Sequence, residues 1–310
     1  MYYPYLYGRQ AELLALRDVA ARLVALKTVP VLEPTNLATR DLATCLRVLG
    51  AQKARCCLIV NPHQGEFRSA NRAAWRAQID GFIQNPNIVR PAFQISTATD
   101  VPNLHAFLRE FNGRDVAVVL RSADITPAAL AGALAGQNAI AFLHARSNPG
   151  SYLSALPPAM AVEVEQCFNP QARNADYNGS EWFTSSHLTY AKQGRPGFSD
   201  FGPLPPTFSL TGGQAAAVAI HLTYEADDRS IWIQHFVSDS ILLGDGDTTS
   251  KMAEATEKVF RAVQAEPAKF TVSVGLQSFL TQHRQGTPTG LATSKRQQIS
   301  HHLTTVGQPI

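Results

Sequence analysis

Through the first two-thirds of the chain, short apolar runs alternate with stretches in which apolar residues recur every three or four positions. Between Ala11 and Leu26 the apolar positions are Leu13, Leu14, Leu16, Val19, Ala20, Leu23 and Leu26, the spacing of one helix face. The run Tyr5-Leu6-Tyr7 precedes this helix, and Val29-Pro30-Val31-Leu32 follows it as a short strand. The pattern then predicts a helix over Arg40–Leu49, a strand over Cys56–Val60, a helix from Trp75 to Ile83 and a strand over Ile88–Ile95. It continues with a helix over Val101–Phe111, a strand over Asp115–Leu120, a helix over Ala128–Ala135 opened by Pro127, and a strand over Ala139–Leu143. A short helix near Tyr152–Leu156 and a strand over Ala161–Phe168 complete seven strands. These strands are apolar runs without clean alternation, as expected of parallel strands covered on both faces. A doubly wound sheet would call for a glycine-rich phosphate fingerprint after the first strand, and Gly8-Arg9-Gln10-Ala11 is not one. The expected fold is therefore α/β, a (β/α)8 TIM-like barrel.

The closing strand is ambiguous. Residues 216–224 and 230–237 are both strand-like and are joined by Ala226-Asp227-Asp228-Arg229, which reads as a hairpin turn. A helix over Lys251–Val263 follows, and this order favours Ser230–Val237 as strand eight, with 216–224 as an antiparallel excursion. From Asn169 to Gln214 the chain is irregular, with many Gly and Pro, yet it carries Trp182, Phe183, Tyr190, Phe198 and Phe201. Its aromatic content argues for an ordered cap over the C-terminal face of the barrel. The expected organisation is a barrel over 1–270, with 170–229 as the cap insertion, and a C-terminal helical tail over 271–310. That tail has helical stretches at Val274–His283 and Ser294–Leu303 and a loose end at Gly307-Gln308-Pro309-Ile310.

Composition narrows the function classes. The 310 residues are 45% hydrophobic and 16% charged, and 27 basic residues against 24 acidic ones leave a net charge of +3. This mild excess suits a small anionic ligand better than nucleic acid, which needs a denser basic surface. No window of 18 uncharged apolar residues offers a membrane span, and the opening does not read as a signal peptide. Cys45, Cys56, Cys57 and Cys167 show no CxxC spacing, and Cys56 and Cys57 should point to opposite faces of one strand. Free buried thiols in a reducing, cytoplasmic setting are the expectation.

In such a barrel the site lies where strands end. The predicted ends are Arg9, Glu33, Asn61, Gln94, Arg121, His144, Asn169 and Asp239. Polar residues begin loops anyway, and that accounts for Asn61, Gln94 and Asn169. Arg9, Glu33, Arg121 and His144 are large chargeable groups placed directly after buried runs, where they must be paired or meet a ligand. Arg9 and Arg121 would clamp an anion bidentately, unless Arg9 is the structural ion partner of Glu33 on the neighbouring strand. His144 suits proton transfer and Glu33 could orient or activate a nucleophile, the two forming the expected catalytic pair; a hydrogen-bonded structural role for His144 stands beside it. Asn61, Gln94 and Asp239 at the rim, with Asp200 from the cap, would complete the ligand contacts. These residues identify no cofactor and do not form a recognisable metal set.

The opening Tyr-Pro-Tyr-Leu-Tyr-Gly-Arg-Gln-Ala-Glu-Leu-Leu-Ala-Leu, together with Leu32-Glu33-Pro34 and Val60-Asn61-Pro62, resembles a microbial group called Beta protein, found in bacteria and phages. The resemblance extends over strands one to eight, with the opening its most specific part. It implies a (β/α)8-like fold and carries over no catalytic residue. The mobile, accessory character of such genes implies a role in phage defence.

Two functional expectations follow. In one, the chain binds a phosphorylated or nucleotide-like anion at the rim and acts as a hydrolase or lyase. In the other, it is a non-catalytic protein whose cap binds a partner protein in a phage-defence or toxin–antitoxin pair.

Overall fold

Seven strands and six helices alternate along the first half of the chain: β1 (Tyr5–Tyr7), α1 (Gln10–Leu23), β2 (Val31–Glu33), α2 (Arg40–Ala51), β3 (Cys56–Ile59), α3 (Arg72–Ile83), β4 (Val89–Ile95), α4 (Val101–Glu110), β5 (Val116–Leu120), α5 (Pro127–Leu134), β6 (Ala139–His144), α6 (Pro149–Ala155) and β7 (Ala161–Glu165). This is a computed structural model that describes residues 1–69, 71–209 and 215–308. Each strand pairs in parallel with the next, β1 through β7. The eighth barrel strand is β9 (Ser199–Asp200), parallel to β7. Tyr2 forms parallel bridges to both Thr28 and Phe198, so the sheet nearly closes on itself as a (β/α)8 TIM-like barrel.

Side-chain parity divides the barrel into two layers. Tyr5 and Tyr7 of β1, Val31 of β2, Cys57 and Ile59 of β3, Ala92 of β4, Ala117 and Val119 of β5, Ile140 and Phe142 of β6, and Val162 and Val164 of β7 fill the interior. The alternate residues, including Leu6, Leu32, Cys56, Leu58, Phe93, Val118 and Leu143, pack against the helices. Cys56 and Cys57 thus face opposite ways, and all four thiols are free. The bulky tyrosines of β1 complement the small residues Ala92 and Ala117, which explains a Tyr-rich opening.

The expected eighth strand is corrected. Ser230–Val237 does not close the barrel, and neither does 216–224. β10 (Ala219–Glu225) and β11 (Ile231–Val237) pair antiparallel, and β11 pairs antiparallel with β8 (Ser180–Thr184), in a separate three-stranded sheet. The physical reason is the tight turn between them: a short connection permits only antiparallel pairing. The true closing strand is two residues long and shows no apolar run.

The segment expected as one cap therefore divides. β8 and the one-turn helix α7 (Ser186–Thr189) stand between β7 and β9, β10 joins the side sheet, and residues 201–208 cross the barrel mouth. Part of the expected cap, residues 210–214, lies outside the described residues. After the sheet come α8 (Thr248–Ala265), capped by the Asp247 side chain, then α9 (Val274–Gln285) and α10 (Leu291–Gly307).

α10 is no peripheral tail. It packs along α1, where Arg296 grips Asp18 through two bonds of 2.6 and 2.5 Å, and takes the position of the eighth barrel helix. Its other side meets β10 through polar bonds: His221 N donates to Gln298 Oε1 (2.9 Å), and His301 Nε2 lies 2.8 Å from the Thr223 carbonyl. Ser294, Ser300, His302, Thr304 and Thr305 are consequently buried, and Gly307 is helical and buried rather than loose. The remainder of the expected loose end, Pro309 and Ile310, lies outside the described residues. Among the described residues, no helix is long and apolar enough to cross a membrane.

Candidate functional site

Parity carries polar residues onto the interior at the C-terminal ends of the strands. Glu33 follows Val31 by two positions, Gln94 follows Ala92, Arg121 follows Val119, and His144 follows Phe142. These four side chains gather around Tyr5 and Tyr7 near the top of the barrel.

Glu33 lies at the bottom of this group and has no exposed surface. Its Oε2 accepts from Tyr5 OH (2.5 Å) and Arg121 Nη1 (3.1 Å), and its Oε1 accepts from Gln94 Nε2 (3.1 Å). Arg121 Nη1 also donates to Tyr5 OH (3.2 Å), and its Nη2 donates to Tyr7 OH (3.2 Å). Tyr7 OH in turn donates a hydrogen bond to the Pro206 carbonyl (2.7 Å), which ties the crossing segment to the barrel. Burial opposes the Arg121 charge, but Tyr5 and Glu33 outweigh it, so the guanidinium stays charged. Burial, reinforced by Glu33, pushes the Tyr5 hydroxyl well above its ordinary range. This enclosed carboxylate is the ion-pair partner of Arg121 and sits beneath the cavity rather than in its lining.

Above this layer is a cavity of about 220 Å³, lined by Gln64, Arg68, Arg121, His144, Arg146, Gln166, Phe201, Pro206, Thr207 and Phe208. His144 is buried edge-on against Tyr5, with ring centroids 4.7 Å apart, and also packs on Phe201 at 5.4 Å. Its Nε2 is buried and has no hydrogen-bond partner among the described residues. Burial, then the neighbouring Arg121 charge, push the imidazole well below its ordinary range, so it is neutral near pH 7. Arg68 makes one long contact, 3.5 Å to Gln64 Oε1. Neither Arg68 nor Arg146 has an ion-pair partner among the described residues. None of the lining residues is acidic.

The loop holding Gln64 and Arg68 is positioned by Gly65. Its φ is +61°, and a Cβ there would stand 2.2 Å from the Thr35 carbonyl oxygen. Only glycine lets Glu66 N reach that carbonyl, at 2.9 Å, and fold the loop over the β2 end. On the opposite wall, Gly202 at φ +68° donates its N–H to Asp200 Oδ1 (2.7 Å) and turns the chain from β9 across the mouth.

The sequence-predicted residues thus separate. Arg121 and His144 line the cavity; Glu33 and Gln94 sit just beneath it. Asn61 clamps the backbone of Gln94 with two bonds of 2.8 Å and does not line this cavity. Arg9 is corrected as a partner of Glu33: it precedes α1, pairs with Glu12 (3.1 Å) three residues on and does not line this cavity, although its guanidinium lies 5.8 Å from the ring centre of Phe208 in the cavity wall. Asp200 is also corrected. By parity it points out of the barrel, where Tyr2 OH donates to it (2.8 Å) and His302 Nε2 lies 3.3 Å away under α10. Asp239 is corrected too: its strand is not in the barrel, its side chain is 77% exposed, and it pairs with Lys258 at 2.7 Å. Asn169 makes a 3.4 Å contact with Glu181 on β8 and does not line the cavity.

Gln64, Arg68, Arg146 and Gln166 were not anticipated. Gln166 carried a signal, since Val162, Val164 and Gln166 share one parity. Arg68 and Arg146 carried none: each sits in a single 3₁₀ turn inside a loop. Among the described residues, no group of three or more His, Cys, Asp and Glu side chains is placed to hold a metal ion.

Fold and site together define a TIM-like barrel with an arginine-lined, acid-free mouth. No family model and no curated protein sequence matches the chain.

Proposed function

We propose that this chain binds a small anionic molecule, phosphorylated or nucleotide-like, in the barrel mouth. One observation carries the reading: Arg68 and Arg146 enter a concave site with no counter-ion among the described residues, beside an Arg121 already fixed by Glu33. Arg68 and Arg146 are exposed at the rim of this polar cavity and Arg121 lies in its wall, and guanidinium groups match oxyanions in geometry and charge. If the bound molecule is hydrolysed or eliminated, the proton passes through His144, because it is the one lining side chain other than arginine that titrates. The test is calorimetric titration with inorganic phosphate and with sulfate at low ionic strength. Binding that is lost in the Arg68→Gln/Arg146→Gln double variant supports the reading. Absence of binding, or binding indifferent to the double variant, overturns it.

A second reading, partner-protein binding of the phage-defence or toxin–antitoxin kind, is favoured by a different observation. Trp182 on β8, within the segment expected to meet a partner, is 53% exposed. Loss of a defence phenotype on Trp182→Ser, with the mouth intact, would support it.

A further inference from the structure

The charge in the mouth can be counted group by group. Glu33 neutralises Arg121 from below at 3.1 Å, and His144 is neutral. Arg9 is neutralised by Glu12 outside the cavity. Arg68 and Arg146 remain, two positive charges with no ion-pair partner among the described residues. The neutral lining groups Gln64 and Gln166 can turn amide N–H donors toward a ligand, and the His144 ring lines the wall with its Nε2 buried and without a hydrogen-bond partner among the described residues. The site therefore offers two net charges and several donors, and among its described lining residues there is no carboxylate; Glu33 beneath it is taken up by Arg121.

Resting on the anion-binding reading above, we infer that the ligand is a phosphate monoester, bound as its dianion. Three terminal oxygens carry its two charges on one centre and accept hydrogen bonds only, which matches the donors gathered here. A phosphodiester brings one charge and two such oxygens, leaving one arginine uncompensated. A dicarboxylate brings two charges but holds them apart. Phe201 and Phe208 supply the apolar side of the cavity, where the ester's organic group would rest. With about 220 Å³ available under the crossing segment, that group is a small molecule.

The experiment compares four probes at one ionic strength and pH 8, where the monoester is fully dianionic: phenyl phosphate, methyl phenyl phosphate, phenyl sulfate and succinate. Phenyl phosphate is expected to bind at least tenfold more tightly than each of the others. Arg68→Gln and Arg146→Gln should each reduce that preference at least threefold while leaving the fold intact, as judged by thermal melting. Equal affinity for all four probes, or tighter binding of succinate, overturns the monoester inference and leaves anion binding standing. If none of the four binds and sulfate and inorganic phosphate also fail, the anion-binding reading itself falls. Preference for phenyl phosphate that both variants retain unchanged overturns the assignment to these arginines.

Discussion

Two buried carboxylates, one on either side of the barrel wall, have opposite outlooks. Glu33 points inward, is bonded by Tyr5, Gln94 and Arg121, and supports a cavity open to ligand. Asp200 points outward, is bonded by Tyr2 and Gly202 with His302 beside it, and is sealed beneath α10. Both are at most 1% exposed. In the inward cluster every polar atom of Glu33 is occupied, and the orphan is the Nε2 of His144 at the cavity wall. In the outward cluster the orphans, Asp200 Oδ2 and His302 Nδ1, are enclosed with the rest. The difference is one of surroundings: the orphaned His144 Nε2 belongs to a ring that lines a cavity with arginines in its wall, whereas the outward cluster is sealed and fixes the register of the last helix on the barrel.

Arg121→Ala should break this comparison most severely. It leaves the side chain of Glu33 buried without its ion-pair partner, at a cost of about 3–5 kcal/mol. Adding Glu33→Gln should recover more than half of the loss in urea melts, which isolates the pair from the rest of the network. Asp200→Ala should cost about 2–3 kcal/mol, the scale for stranding buried donors such as Tyr2 OH, and should leave phosphate affinity unchanged.

The pH dependence sharpens the contrast between groups that a ligand can reach and groups it cannot. His144 is held well below the ordinary histidine range by burial, and His221 is pushed down to about 3 by burial and then by His235, whose Nδ1 lies 2.8 Å away. A histidine with a lowered folded pKa takes up its proton first in the unfolded chain. Its stabilising effect is thus complete above pH 6.5 and is lost on acidification below it, at up to about 1.4 kcal/mol per pH unit for each such group. Urea melts between pH 7.5 and 5 should show this slope, and His221→Gln should make it shallower by the share of one such group. Saturating phenyl phosphate should lessen the His144 share by favouring its charged form, and leave the His221 share in place. The smallest stability change belongs to Arg146→Gln, within about 0.5 kcal/mol, although phosphate affinity should fall about tenfold, or 1.4 kcal/mol.

The barrel was largely legible in the sequence, and its closure was not, for a physical reason. β1 through β7 are apolar runs because helices cover one face and a packed interior fills the other. β9 has only two residues, and an alternation that short leaves no periodic signal. The hairpin of β10 and β11 showed stronger strand character than the strand that closes the barrel, which misplaced Asp239 at the rim. Within the legible part, strand ends alone did not suffice. Counting in twos from the interior residues Val162 and Val164 reaches Gln166, and counting from Ser199 leaves Asp200 outside. Arg9 keeps the parity of Tyr5 and Tyr7, yet α1 begins one residue later and Glu12 draws it away. α10 escaped notice as a barrel helix because its two faces meet α1 and the polar side of β10, so no single apolar stripe marks it.

The central claim is that Arg68, Arg121, Arg146 and His144 form one anion site. Imidazole ¹⁵N resonances report on it most directly. In the absence of ligand at pH 7, His144 should show the shifts of a neutral ring, as should His221. Titration with phenyl phosphate should move the His144 Nε2 resonance in a saturable way and leave His221 and His302 where they were. A His144 ring that stays unmoved while the phosphate binds, or that is already charged before it is added, would contradict the account.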